Sequence, residues 1–138
     1  MEKDYSHRDL TDKLGLQPGW AVRVVGQGDK ALLDKTLEKV GRALVKANAL
    51  ADVILYWPKT VAEIAPRLIK LKQAIAQNGG IWVMTAKKNC QSASGMAYLN
   101  QTDLIPLGLA AGLVDNKTCS VSATESGMRF VIRKNERK

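Results

Sequence analysis

Two stretches of this sequence hold residues that could do chemistry together. The first is Gly26-Gln27-Gly28-Asp29-Lys30-Ala31. Its G-x-G-x-x-A spacing follows a β-branched run and opens a helix, which turns backbone N–H groups toward any incoming anion. The second is Tyr56-Trp57-Pro58-Lys59, at the end of the next apolar run, where open α/β sheets place their ligands. Gly26, Gly28 and Asp29 are therefore the candidate cofactor-binding residues. Trp57 is a candidate pocket wall, although core packing is the commoner fate of such a side chain. A dinucleotide site also wants an acid at the end of the second strand to hold ribose hydroxyls. Trp57-Pro58-Lys59 stands there instead, and Asp52 lies at the opposite end of the strand. Asp29 suits the helix dipole but competes with an incoming anion. A plain tight turn is thus favoured over a cradle, and no cofactor is expected; bound S-adenosylmethionine or dinucleotide is the alternative.

Other reactive groups are sparse. His7 and Asp9 could suggest acid–base work, but a lone histidine at a helix start is usually a surface residue, so no catalytic residue is assigned. Cys90 lies near Lys87 and Lys88, which could lower its pKa and make it reactive, but a surface thiol without a base is the favoured reading. Cys90 and Cys119 are far apart, so two reduced thiols are expected and no metal spacing exists. The net charge of +8 favours acidic partners. Lys35, Lys39, Arg42 and Lys46 form a stripe that could follow nucleic-acid phosphates, with a solvated helix face as the more ordinary reading.

The elements that must position these residues alternate in type. Ser6 to Gly15 reads as a helix capped by Ser6, and Gln17-Pro18-Gly19 as a turn. Ala21 to Val25 is a strand, followed by a helix from Asp29 to Ala47 with an apolar stripe of Leu33, Leu37, Val40, Leu44 and Ala47. Asp52 to Trp57 is a central strand, apolar on both faces. Thr60-Val61-Ala62-Glu63 is a capping box opening a helix buried through Ile64, Leu68, Leu71 and Ile75, with Pro66 inside it. Asn78-Gly79-Gly80 reads as a stop, Ile81 to Thr85 as the third strand, and residues 87–98 as a long loop free to move. A helix from Thr102 to Ala111 precedes a hairpin of Val114 to Ala123 and Met128 to Arg133. The 138 residues fit one α/β domain: an N-terminal helix at 5–16, a core at 21–133 and a charged, fraying tail at 134–138. No apolar run approaches the ~18 residues of a membrane span, and the polar, mixed-charge N-terminus is unlike a signal peptide, so a cytoplasmic location is expected.

Leu14-Gly15-Leu16-Gln17-Pro18-Gly19, leading into Val22-Arg23-Val24-Val25-Gly26-Gln27-Gly28, resembles the entry to class I methyltransferases, and Gly79-Gly80-Ile81-Trp82-Val83 resembles their fifth strand. More closely, Gly112 to Cys119 and Ser126-Gly127-Met128-Arg129-Phe130-Val131-Ile132-Arg133 resemble a bacterial domain-of-unknown-function family of short methyltransferase-like proteins. The start, Tyr5-Ser6 with Lys13-Leu14-Gly15-Leu16, also fits. This resemblance spans nearly the whole chain. It implies a truncated Rossmann-type sheet of about five strands, three parallel plus a C-terminal hairpin with one antiparallel strand, and it implies no activity. Methyltransferases carry an acid just before the first glycine of the loop, where Val24 and Val25 stand here. The family tends to show an acidic pair and a tryptophan before Ser126-Gly127, where this chain has Ser122-Ala123-Thr124-Glu125. It also tends to show Trp-Pro before the two lysines, where this chain has Thr85-Ala86.

Two strands of a full methyltransferase have no room between the first helix and Asp52. With right-handed crossovers running one way along the sheet, all three crossover helices should fall on one face. The strands are apolar on both faces, so the Ser6–Gly15 helix is expected to cover part of the other face and a second copy of the chain to cover the rest or pair along the first strand, giving a homodimer. The leading expectation is a non-catalytic interaction or scaffold module. The alternatives are a small-molecule binder or enzyme using the Gly26–Ala31 loop, and a nucleic-acid-associated protein using the basic helix face.

Overall fold

The computed structural model describes residues 10–137. The sheet holds β1 (Val22–Val25), β2 (Ala51–Tyr56), β3 (Ile75–Ala86), β4 (Leu113–Ser120) and β5 (Glu125–Ile132). Their spatial order is β1-β2-β3-β5-β4. The first three run parallel, and β5 is inserted antiparallel between β3 and β4. The helices are α1 (Leu10–Lys13), α2 (Lys30–Val40), α3 (Val61–Lys72) and α4 (Gln101–Ala110). This is the truncated five-strand α/β sheet expected from the alternation of elements. The start of the expected Ser6–Gly15 helix, with His7 and Asp9, lies outside the described residues.

Alternate residues of the central strands feed two separate cores, as the pleat requires. Ile54, Tyr56, Ile81 and Val83 pack with Ile64 and Leu68 of α3 and with Leu104 of α4. Val53, Leu55, Trp57, Trp82 and Met84 pack with Leu32 and Val40 of α2, and with Leu14 and Leu16 just after α1. So α2 lies on the opposite face from α3 and α4, and the expectation of three helices on one face is corrected. The physical reason is the path after α2. Gly41 takes the left-handed region at φ 69° and its N–H caps Leu37, which stops the helix seven residues short of the expected Ala47. The chain then crosses the outer edge of β1, where the Val45 N–H donates to the Val22 carbonyl at 2.8 Å. Val45 packs against the first core. The part of that face left for a second copy is thus covered by α2, beside the N-terminal helix expected there.

The inward stripe of α2 is also turned from the expected one. Leu32, Thr36 and Val40 are buried, whereas Leu37 is exposed. Thr36 can be buried because its hydroxyl donates to the Leu32 carbonyl at 2.8 Å. Asn78-Gly79-Gly80 does not stop an element; it lies inside β3, which begins at Ile75, the residue expected on the preceding helix. Gly79 is needed because a Cβ there would stand 2.8 Å from the Asp52 carbonyl oxygen of β2. Of the tail expected to fray, Lys134–Glu136 form a 3₁₀ turn and the Arg137 side chain donates to the Ile132 carbonyl, while residue 138 lies outside the described residues.

The capping box of α3 forms as its spacing predicts. The Glu63 N–H donates to the Thr60 hydroxyl, and Glu63 Oε1 accepts from the Thr60 N–H at 3.0 Å and the Lys59 N–H at 2.9 Å. Thr60→Ala should cost about 1 kcal/mol, a typical capping loss. It should appear as a lower urea midpoint with an unchanged slope.

Candidate functional site

The carboxyl ends of β1 and β2 form a crevice whose two following helices leave on opposite sides of the sheet. Such a reversal is where open α/β sheets bind ligands. A cleft of about 290 Å³ lies there, bordered by Gly26, Gln27, Trp57, Lys59, Arg67 and Ser94. The sequence candidates Gly26, Gly28, Asp29 and Trp57 do meet at this place.

Their arrangement shows what the glycines are for. Gly26 sits at φ +90°, and a Cβ there would strike the Trp57 carbonyl. A Cβ on Gly28 would lie 2.8 Å from Cζ3 and 2.9 Å from Cε3 of the Trp57 indole. In a dinucleotide fold the second glycine lets the ligand approach the backbone. Here that close approach is taken by the protein's own indole. Asp29 is spent on capping α2, its Oδ1 accepting from the Ala31 N–H at 3.3 Å.

Trp57 is 1% exposed, and its indole N–H donates to Glu125 Oε2 at 3.0 Å. Glu125, the first residue of β5, is itself 2% exposed. The same Oε2 accepts from the Ala93 N–H at 2.8 Å. Burial pushes the Glu125 carboxyl above its usual range, with a smaller push from the charge of Asp29; the Ala93 and Trp57 bonds oppose it. Ser94 Oγ donates to the Pro58 carbonyl at 2.6 Å, and the Lys87 N–H to the Thr124 carbonyl at 2.8 Å. Segment 87–98, expected to be a free loop, is thereby fastened over the crevice.

The opposite face holds a second polar group. Tyr56 donates from its hydroxyl to Glu63 Oε2 at 2.9 Å. Burial first, and then Glu63, raise the Tyr56 phenol well above its ordinary range. Burial pushes Glu63 upward, but hydrogen bonds from Tyr56, Lys59 and Thr60 and the charge of Arg67 hold it below the usual carboxylate range. These groups are mutually satisfied and brace the start of α3.

The basic stripe read from the sequence is broken up. Lys35 and Lys39 are on α2, but Arg42 and Lys46 lie beyond its end. Lys39 pairs with Asp12 at 2.9 Å, and Arg42 donates to the Gly19 carbonyl. Asp52 lies away from the crevice and accepts from the Ala21 N–H at 2.8 Å. Cys90 and Cys119 are both free and half-buried, and burial raises the Cys119 thiol. Among the described residues no cluster of histidine, cysteine and carboxylate side chains could hold a metal ion, and no helix is long and apolar enough to cross a membrane.

Glu125, Ala93 and Ser94 were not singled out from sequence. The signal for Glu125 was faint: it shares the period-two register of Gly127, whose Cβ position faces Trp82, so an acid there points into the core.

Residues 11–134 match the model of a family described as Protein of unknown function (DUF3052). No curated protein matches the sequence. Among solved structures, a SAM dependent methyltransferase from Aquifex aeolicus superposes with a TM-score of 0.66 at 14% identity, covering 89% of this chain and 88% of that one. NcsB1, an O-methyltransferase from neocarzinostatin biosynthesis in complex with S-adenosyl-L-homocysteine and 1,4-dihydroxy-2-naphthoic acid, gives 0.65 at 17% identity, covering 94% and 53%. CalO1, a methyltransferase in calicheamicin biosynthesis in its SAH bound form, gives 0.63 at 17% identity, covering 89% and 52%. The chain spans about half the length of these last two. At such identities the likeness is one of fold.

Proposed function

The chain belongs to the DUF3052 family, and from that premise we propose that it is a methyltransferase-like module that acts by binding a partner and has no methyl-transfer activity. One observation carries this reading: the Trp57 indole fills the space against Gly28 and is locked there by the buried Glu125. A nucleoside cofactor and this indole cannot share the second glycine, so the residues present do not fit S-adenosylmethionine in that place. The missing acid at the end of β2 points the same way, since Trp57-Pro58-Lys59 offers no carboxylate to ribose hydroxyls. The fold is retained, and the space against Gly28 is taken by the chain's own indole, beside the cleft of about 290 Å³.

Titration with S-adenosylhomocysteine tests the reading. A ligand at a hundred times its dissociation constant adds about 2.7 kcal/mol of stability. Millimolar S-adenosylhomocysteine or S-adenosylmethionine is expected to leave the melting temperature unchanged and to give no saturable heat by calorimetry. Saturable binding, abolished by Gly28→Asp, would instead establish the small-molecule reading and place its site in the Gly26–Ala31 loop.

A further inference from the structure

We propose that the carboxyl-terminal end of the sheet is a docking surface for single-stranded nucleic acid, with Tyr98 as the stacking platform. This rests on the reading of the chain as a binding module and names its partner.

The charge distribution is the first ground. Lys59 and Arg67 border the cleft beside Trp57, and Lys87 and Lys88 border a second cleft of about 270 Å³ beyond the end of β3. The amino ends of α2, α3 and α4 all point to this end, because each helix follows a parallel strand. Of the neighbouring carboxylates Glu125 is buried. Glu63 lines the first cleft beside Lys59 and Arg67 and offsets their charge, and Asp29 and the exposed Asp103 stand at the starts of α2 and α4. The second cleft carries the argument: Lys87 and Lys88 line it and no carboxylate does.

The second ground distinguishes nucleic acid from other polyanions. Tyr98 is 46% exposed and lines the same cleft as Lys87 and Lys88, together with Asn100 and Gln101. An acidic peptide is held by the lysines alone, whereas a single strand uses both lysines and ring, because each base offers a face to stack on while its phosphates meet the cations. This surface is separate from α2 and the segment after it, where Lys39 pairs with Asp12 and Arg42 donates to the Gly19 carbonyl; on the surface itself Lys87 donates to the neutral Ser120 hydroxyl and keeps its charge for a phosphate.

The test is fluorescence anisotropy with a labelled oligouridine of about twenty nucleotides, at low and at physiological salt. Binding is expected to saturate and to weaken steeply with salt. Tyr98→Ala should weaken it about ten-fold, whereas Tyr98→Phe should bind like the parent. The double variant Lys59→Glu/Lys88→Glu should lose binding at physiological salt, and Lys35→Glu on α2 should not change it. All these side chains are at least partly exposed, and an unchanged melting temperature confirms that each variant folds. No binding at low salt overturns the proposal. So does displacement by polyglutamate at equal charge with Tyr98→Ala unaffected, which would mark an acidic-peptide surface. Running S-adenosylhomocysteine in parallel separates the two readings: if neither ligand binds, the nucleic-acid proposal falls and the module reading stands, whereas bound S-adenosylhomocysteine removes the module reading itself.

Discussion

Trp57→Ala is expected to lower the unfolding free energy by about 3–5 kcal/mol, the usual loss for truncating a fully buried aromatic. For a domain of this size that corresponds to roughly 10–20 °C in melting temperature. Two effects add here: an indole-sized cavity opens between Gly28 and the second core, and Glu125 Oε2 loses one of its two donors. The informative measurement is the cycle with Gly28→Ala. In the parent, a Cβ on Gly28 meets the indole carbons at 2.8–3.0 Å, so Gly28→Ala should cost about 1–3 kcal/mol by overpacking. In the Trp57→Ala background the same change should cost little, because the atoms it would strike are gone. Coupling of that size, measured by denaturant unfolding, would show that the glycine serves the tryptophan. Additive losses would mean that Gly28 is needed for something else.

The second large effect is at Glu125. Glu125→Leu strands the Trp57 indole N–H and the Ala93 N–H without an acceptor, at about 1–3 kcal/mol for each buried donor. A total of about 2–6 kcal/mol is expected, and segment 92–94 should lose protection in hydrogen exchange. Glu125→Gln keeps an oxygen for both donors and removes the charge, so it should stay within about 1 kcal/mol of the parent at neutral pH. The pH dependence separates the two roles of the carboxyl. Its folded pKa is raised above the ordinary value of 4.5, chiefly by burial. The folded state therefore holds the proton more tightly than the unfolded chain. The contribution of this group is full below 4.5 and is lost as pH rises through the folded value. Glu63 runs the other way: its lowered folded pKa gives stability above the ordinary value of 4.5 that is lost as pH falls. Stability measured across the acid range should thus show a flatter decline with rising pH in Glu125→Gln than in the parent. An unchanged slope would place the titrating group elsewhere.

Much of the scaffold could be read from local chemistry. Val22-Arg23-Val24-Val25 and Val53-Ile54-Leu55 are strands because β-branched and large apolar residues pack on a pleated surface. Thr60 and Glu63 mark the start of α3 by reciprocal hydrogen bonds that only that spacing permits. Gly15 and Gly19, both at positive φ, close turns where expected. The face taken by α2 was not readable, because it depends on where residues 41–50 travel, and no local preference encodes that path. The apolar period through Leu44 and Ala47 made the helix look longer than it is, since Leu44 packs on the core from an irregular segment. At the site, the glycine spacing and Trp57 were visible, and so was the missing acid. Their mutual contact was not, because it joins residues that neither periodicity nor spacing connects. Glu125 was hidden for the same reason: its two donors come from positions 32 and 68 residues away.

The strap that Val45 lays along β1 also bears on how far such molecules could add to one another. A sheet that grows into a fibre needs two open sides, one to accept a neighbour and one to offer to the next. On β1 one outward carbonyl is already taken by the chain itself, at Val22. The other side, β4, carries exposed Asp115 and Lys117 at a break in its register. Sheet-to-sheet addition is therefore hindered at one end and discouraged at the other. A destabilised variant of this protein should precipitate as amorphous material, without the ordered ribbons that thioflavin reports.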